Sequence, residues 1–182
     1  MNATPVTLEE VITFLLQTPL FEDLSPTELA AVVQVMQVQR FRDGQIVFRE
    51  EDPGDAWFVI FRGECVVTKN APFGPARTLA ILEPQSCFGE MAVLDGSPRS
   101  AGVAVRGDTT LFKFRRVDYQ SLLDGGSLSA YKLVLAMARV LCQRQRNLTQ
   151  QLSELMEEAG EDPNETLREQ LQGIVDEYKV SE

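Results

Sequence analysis

Histidine is absent from the 182 residues. That excludes Ser-His-Asp and Cys-His nucleophile systems, histidine-ligated zinc and a histidine pH switch. Cysteine is scarce. Cys65, Cys87 and Cys142 are widely spaced, odd in number and form no Cys-x-x-Cys pair. They read as small buried hydrophobes in a reducing compartment rather than as a disulfide framework. Positive charge is also short, with 17 Lys and Arg against 27 Asp and Glu and a net charge of −10. Generic attraction to nucleic acid or an anionic membrane is therefore disfavoured, and any anion site has to be built locally. Long apolar runs are missing as well. The stretches without Asp, Glu, Lys or Arg, such as Val11 to Phe21 and Leu29 to Gln39, fall short of the ~20 apolar residues a membrane span needs. No leader-like segment is recognised. A soluble, cytoplasmic protein with no membrane partner is the expectation.

What is present supports a packed core: 44% of the residues are hydrophobic. The first 40 residues read as helix. Thr7 with Glu10, and Ser25-Pro26 with Glu28, have the spacing of capping boxes, and Leu29, Val32, Val33 and Met36 follow at helical intervals. From Arg40 the pattern changes to short β-rich runs: Ile46 to Phe48, Trp57 to Phe61, Cys65 to Thr68, Thr78 to Leu82, Ala101 to Val105 and Leu111 to Phe114. Turn signals such as Asp43-Gly44, Pro53-Gly54-Asp55, Arg62-Gly63-Glu64 and Gly107-Asp108 separate them. Many short strands with helices only at the ends argue for an antiparallel sandwich or barrel.

After Val117-Asp118 the chain turns helical, Gly125-Gly126 interrupts it, and Ser127 caps a long run to about Glu158. Tyr131, Val134, Ala138, Leu141, Gln145, Leu148, Leu152, Leu155 and Ala159 alternate three and four apart, a heptad seam of about four heptads. Asp162-Pro163 starts a last, acidic helix with Leu167, Leu171, Ile174 and Tyr178 on one face. It either folds back on the coil or docks a partner. Three segments are expected: 1–126, 127–159 and 160–182.

The segment richest in chemistry is Phe88-Gly89-Glu90-Met91-Ala92-Val93-Leu94-Asp95-Gly96-Ser97-Pro98-Arg99-Ser100-Ala101. Gly89 permits a sharp turn and a close backbone approach. Glu90 to Leu94 can form one helical turn with anion-binding N–H groups. Asp95-Gly96-Ser97-Pro98 then reverses the chain and returns Arg99, a residue suited to gripping phosphate bidentately. Two readings stand on the residues alone: a ribose phosphate site, or a salt-bridged loop between strands.

These residues closely resemble the phosphate-binding cassette of cyclic nucleotide-binding domains. The likeness extends through Phe41-Arg42-Asp43-Gly44-Gln45-Ile46-Val47, Gly54-Asp55-Ala56-Trp57-Phe58-Val59-Ile60, Gly63 and Val117-Asp118-Tyr119. It covers most of the chain, from the Phe14 helix into the long C-terminal helix. The resemblance implies an α+β fold: N-terminal helices, a jelly-roll-like β-roll of about eight antiparallel strands, and a long dimerising helix. It also implies that Glu90 holds the ribose 2′-OH and Arg99 the exocyclic phosphate oxygens. The N–H groups of Gly89, Glu90, Met91, Ala92 and Ser100 would complete the cradle, and Val67, Leu79 and Leu82 would line the base pocket. In catabolite activator-type members a Thr-Ser pair on the long helix reads adenine, whereas here Arg144-Gln145 falls at that place. Two readings stand for this pair: a base contact through Arg144 stacking and a Gln145 hydrogen bond, or a solvated flank and a register-setting polar residue of the coil.

The implied function is reversible binding of cyclic AMP by a homodimeric sensor that regulates a protein effector. The alternatives are cyclic GMP as ligand, or a non-binding dimeric scaffold. No cofactor, metal, catalysis or direct DNA binding is expected, because histidine is absent and the stretch after Glu158 is acidic.

Overall fold

Both N-terminal helices begin where the sequence places their caps. In α1 (Leu8–Gln17) the Thr7 hydroxyl accepts from the Glu10 N–H, while the Glu10 carboxylate accepts from the Thr7 N–H. In α2 (Pro26–Gln34) Ser25 and Glu28 make the same exchange, with Pro26 leading the helix. Each box satisfies first-turn donors that the helix itself cannot. A computed structural model describes residues 6–158 together with Gln172; the expected helix bearing Leu167, Leu171, Ile174 and Tyr178 lies outside the described residues.

Helix does not continue to residue 40. α2 stops at Gln34, and Met36–Phe41 forms strand β1, paired antiparallel with residues 109–114. The helical spacing of Met36 yields here to cross-strand hydrogen bonds, which a single-sequence pattern does not register. The remaining strands are β2 (Ile46–Phe48), β3 (Ala56–Lys69), β4 (Arg77–Leu82), β5 (Cys87–Phe88) and β6 (Gly102–Arg115), all antiparallel. The sheet order is β1-β6-β3-β4, with β2 also on β6 and β5 also on β3.

Six strands are described where about eight were expected, because Arg62-Gly63-Glu64 and Gly107-Asp108 do not end strands. They lie within β3 and β6, and the β3–β6 register shifts on either side of Arg62. Each long strand thereby serves two layers. The first half of β3 pairs with β5 and the last part of β6, which also carries β1; its second half pairs with β4 and the first part of β6, which also carries β2. That is the roll.

The alternation of β3 divides the core in two. Trp57, Val59 and Phe61 join Phe112 and Phe114 under the helices, where Trp57 stacks on Phe114 at 4.1 Å between centroids. Ala56, Phe58 and Ile60 face the interior of the roll with Cys65, Phe88, Val103, Val105 and Leu111.

The cassette contributes α3 (Glu90–Asp95), and α4 (Arg116–Asp124) ends at Gly125-Gly126. α5 spans Leu128–Glu158. By contacts the chain divides into two compact units, Met1–Met137 and Ala138–Glu182. In the first unit, Ala130, Leu133 and Met137 of α5 are buried in the helix-side core, and the Tyr119 hydroxyl donates to the Ala130 carbonyl. Val134, counted in the seam, packs partly against that core, whereas Tyr131 and Leu135 are exposed. In the second unit Leu148, Leu152 and Leu155 are exposed.

Cys65 and Cys87 are buried as expected, and burial pushes the Cys65 thiol up to about 12. Cys142, on the stretch of α5 that belongs to the second unit, is exposed. Among the described residues no helix is long and apolar enough to cross a membrane.

Candidate functional site

The cassette is built by local turns and then locked by distant backbone. β5 delivers the chain to Gly89, whose φ of +77° is the left-handed conformation glycine adopts without strain. A Cβ at this position would also lie 2.7 Å from Arg99 Nη1. α3 follows at once, with no side chain capping its first turn. It sits close against residue 54, where any Cβ would collide with Ala92. After α3 the Asp95 carboxylate accepts from the Ser97 N–H at 2.9 Å, reversing the chain towards Pro98 and Arg99. Arg99 is then fixed by two backbone hydrogen bonds. Its N–H donates to the Asp52 carbonyl and its carbonyl accepts from the Glu51 N–H, both at 2.9 Å.

The guanidinium is where the site departs from an ordinary loop. Arg99 is 2% exposed and Glu90 1%. Arg99 Nη1 donates to the Gly89 carbonyl at 2.7 Å, and Nη2 donates to the Ala56 carbonyl at 2.6 Å and lies 3.4 Å from Asp55 Oδ1. Its Cζ lies 4.1 Å from the centroid of the Phe48 ring, within cation–π range. Nε is buried with no hydrogen-bond partner. Burial pulls the Arg99 pKa down, while the charges of Asp55, Asp52 and Glu90 push it back up. Arginine nonetheless stays protonated. A buried cation with an unsatisfied donor is costly unless something uses it. This one can present N–H groups to an anion, and Glu90 is a buried carboxylate able to accept from a hydroxyl.

The other expected site residues fall in three places. Met91 and Ser100 are exposed on the cassette, with Ser100 Oγ 3.8 Å from Met91 Sδ, and Ala92 is buried. Val67 and Leu82 pack against the roll interior. Leu79 is exposed and sits where the β3–β4 register shifts, so the residue directly opposite Val67 is Ala80. Arg144 and Gln145 lie on α5 in the second unit; Gln145 is exposed, and its carbonyl accepts from the Thr149 hydroxyl. Sequence reasoning did not assign roles to Asp55, the Ala56 carbonyl or Phe48, which surround Arg99. Asp55 and Ala56 lay within a quoted motif, yet nothing local says that they meet Arg99.

A cavity of about 720 Å³ opens beside Arg99, lined also by Phe41, Phe48, Phe58, Asp55 and Lys113. Of the expected site residues only Arg99 reaches it. The buried Glu90 and Arg99, rather than this cavity, therefore mark the candidate site. Among the described residues no group of three His, Cys, Asp or Glu could hold a metal ion.

Comparison with known proteins agrees with this geometry. Residues 38–125 match the model of the cyclic nucleotide-binding domain family. The chain is 34% identical over 123 residues to the cyclic AMP receptor protein of Thermus thermophilus, covering 68% of this chain and 57% of that protein. It is 32% identical over 110 residues to the cAMP-dependent protein kinase regulatory subunit of Aspergillus niger, covering 60% and 26%. The chain thus spans less than two thirds of either relative. The crystal structure of the Thermus thermophilus catabolite activator protein superposes with a TM-score of 0.66 at 31% identity, covering 75% of this chain and 62% of that one. A cyclic nucleotide-binding domain from Methylobacillus flagellatus gives a TM-score of 0.68 at 28% identity, covering 76% and 78%. With the roll, the Gly89 turn and the buried Glu90 and Arg99 in place, residues 38–125 of this chain belong to the cyclic nucleotide-binding domain family.

Proposed function

We propose that this protein reversibly binds a purine cyclic mononucleotide, cyclic AMP in preference to cyclic GMP, and acts as a ligand-controlled regulator of a protein partner. The observation that carries the reading is the buried Arg99 guanidinium, with an unsatisfied Nε, beside the buried Glu90 on a glycine-headed turn. In this reading Arg99 grips the exocyclic phosphate oxygens, exchanging the exposed Asp55 carboxylate for the ligand. Glu90 accepts from the ribose 2′-OH. The N–H groups of Gly89, Glu90, Met91, Ala92 and Ser100 complete the cradle. Val67, Leu79 and Leu82 supply apolar surface for the base. No residue is assigned a catalytic role, and binding acts by shifting a conformational equilibrium. The names of the relatives, a cyclic AMP receptor protein and a cAMP-dependent kinase regulatory subunit, favour cyclic AMP.

The exposed Tyr131, Leu148, Leu152 and Leu155 of α5 support a second element of the reading, a homodimer through that helix. Replacing Leu148 and Leu152 with Glu is expected to give a monomer by light scattering.

Isothermal titration of the purified protein against cyclic AMP, cyclic GMP and cyclic di-GMP tests the ligand. Saturable one-site binding of cyclic AMP, tighter than the other two, is expected. No heat with any of them would leave the non-binding scaffold as the better reading.

A further inference from the structure

Arg99 shares Asp55 with a second cation. Asp55 Oδ1 lies 3.4 Å from Arg99 Nη2, and Asp55 Oδ2 lies 3.5 Å from Lys113 Nζ, so one carboxylate bridges both. The three groups are far apart in sequence. Lys113 comes from β6, where the register sets it opposite Phe58, and its Nζ stands 5.9 Å from the centre of that ring. Its side chain is 18% exposed, that of Asp55 71%. Lys113, Asp55 and Arg99 line one open cavity, so water and salt reach the bridge.

Three carboxylates, those of Asp55, Asp52 and Glu90, act on the Arg99 charge. Such a surrounding favours the cation but opposes any anion brought to it. The Gly89 and Ala56 carbonyls are backbone acceptors, so the exposed Asp55 side chain is the partner able to give way. A cation on its second oxygen offsets part of its charge and draws it away from the guanidinium.

We propose that Lys113 is a positioning residue of the cassette: it holds the Asp55 carboxylate and offsets its charge, so that Arg99 stays oriented yet can exchange Asp55 for a phosphate monoanion. The inference rests on the cyclic-nucleotide reading given above. Nothing in the cassette motif announces this role, because Lys113 reaches Arg99 only through Asp55.

A double-mutant cycle of Lys113→Met and Asp55→Asn, titrated with cyclic AMP, tests it. Lys113→Met is expected to weaken binding by about three- to tenfold, the size expected of a partly exposed ion pair. Adding Asp55→Asn to that variant should restore most of the loss. Lys113→Arg should bind like the parent, and added salt should shrink the Lys113→Met defect. Lys113→Gln replaces Lys113→Met if the latter does not fold. A purely structural role would lower the melting temperature and cost the same affinity with Asp55 present or absent. Equal losses in the two backgrounds overturn the role of Lys113 and leave the nucleotide reading standing. A parent protein that binds no cyclic nucleotide overturns the nucleotide reading, and the role of Lys113 with it.

Discussion

The two faces of β3 have been put to different uses. Its odd-numbered residues Trp57, Val59 and Phe61 sit in an aromatic-rich layer beneath α1, α2, α4 and the start of α5, with Phe61 stacked on Phe112 at 4.8 Å. Its even-numbered residues Ala56, Phe58 and Ile60 face the roll, where Phe58 stacks on Phe88 at 5.2 Å and the Ala56 carbonyl accepts from a buried guanidinium. The helix-side face gains its stability mainly from apolar area and close packing, with one buried hydrogen bond from the Tyr119 hydroxyl to the Ala130 carbonyl. The roll-side face spends part of its stability on burying Arg99 and Glu90, a cost natural proteins accept where binding requires it. Side-chain alternation lets one strand do both, because residues one apart point to opposite faces.

Substitutions on the two faces should therefore separate stability from binding. The largest expected effect is on the helix side. Phe112→Ala should cost about 3–5 kcal/mol of unfolding free energy in urea denaturation, while cyclic AMP affinity of the folded fraction stays at the parent value. An equally large loss of affinity would show that the two faces are not independent. On the roll side Arg99→Ala should weaken cyclic AMP binding by about 2–5 kcal/mol in calorimetry, with Arg99→Lys recovering only part. Unchanged affinity would remove Arg99 from the site.

Glu90→Gln sharpens the comparison further. It should cost about 1.5–3 kcal/mol with cyclic AMP and much less with its 2′-deoxy analogue, since the contact concerned is to the 2′-OH. Equal losses for both ligands would refute the ribose role.

The smallest effect is again on the helix side. The Glu28 carboxylate is held at about 2, below its ordinary 4.5, by Lys132 on α5 and then by the Ser25 N–H. A depressed carboxylate stabilises the fold above its unfolded value, and that contribution is lost as pH falls from about 4.5 towards 2. Urea midpoints followed down that range should fall for the parent, and less steeply for Lys132→Met. Nucleotide affinity should be the same for both proteins at neutral pH.

Much of the cassette was legible because it is local. The φ-permissive Gly89, the Asp95 turn and the reversal at Pro98 all act within a dozen residues, so their types at that spacing suffice. The capping boxes of α1 and α2 were legible for the same reason. β1 was not, since its identity depends on a partner strand at residues 109–114. Arg62-Gly63-Glu64 has the composition of a turn yet lies within β3; a glycine inside a strand and a glycine ending one look alike until the register is known.

The sequence by itself determined the turn that heads the cassette, the residue types within it and the helices at both ends, through short-range hydrogen bonds and steric limits on φ. Only the tertiary structure decided what surrounds Arg99. Asp55 and the Ala56 carbonyl lie 44 and 43 positions away, and Lys113 reaches it only through Asp55. Such contacts arise when β3 and β6 pair and the loop of residues 49–55 docks on the cassette. Long-range hydrogen bonds and shared burial leave no periodicity in the chain, so the electrostatics of the site exist only once the roll has closed.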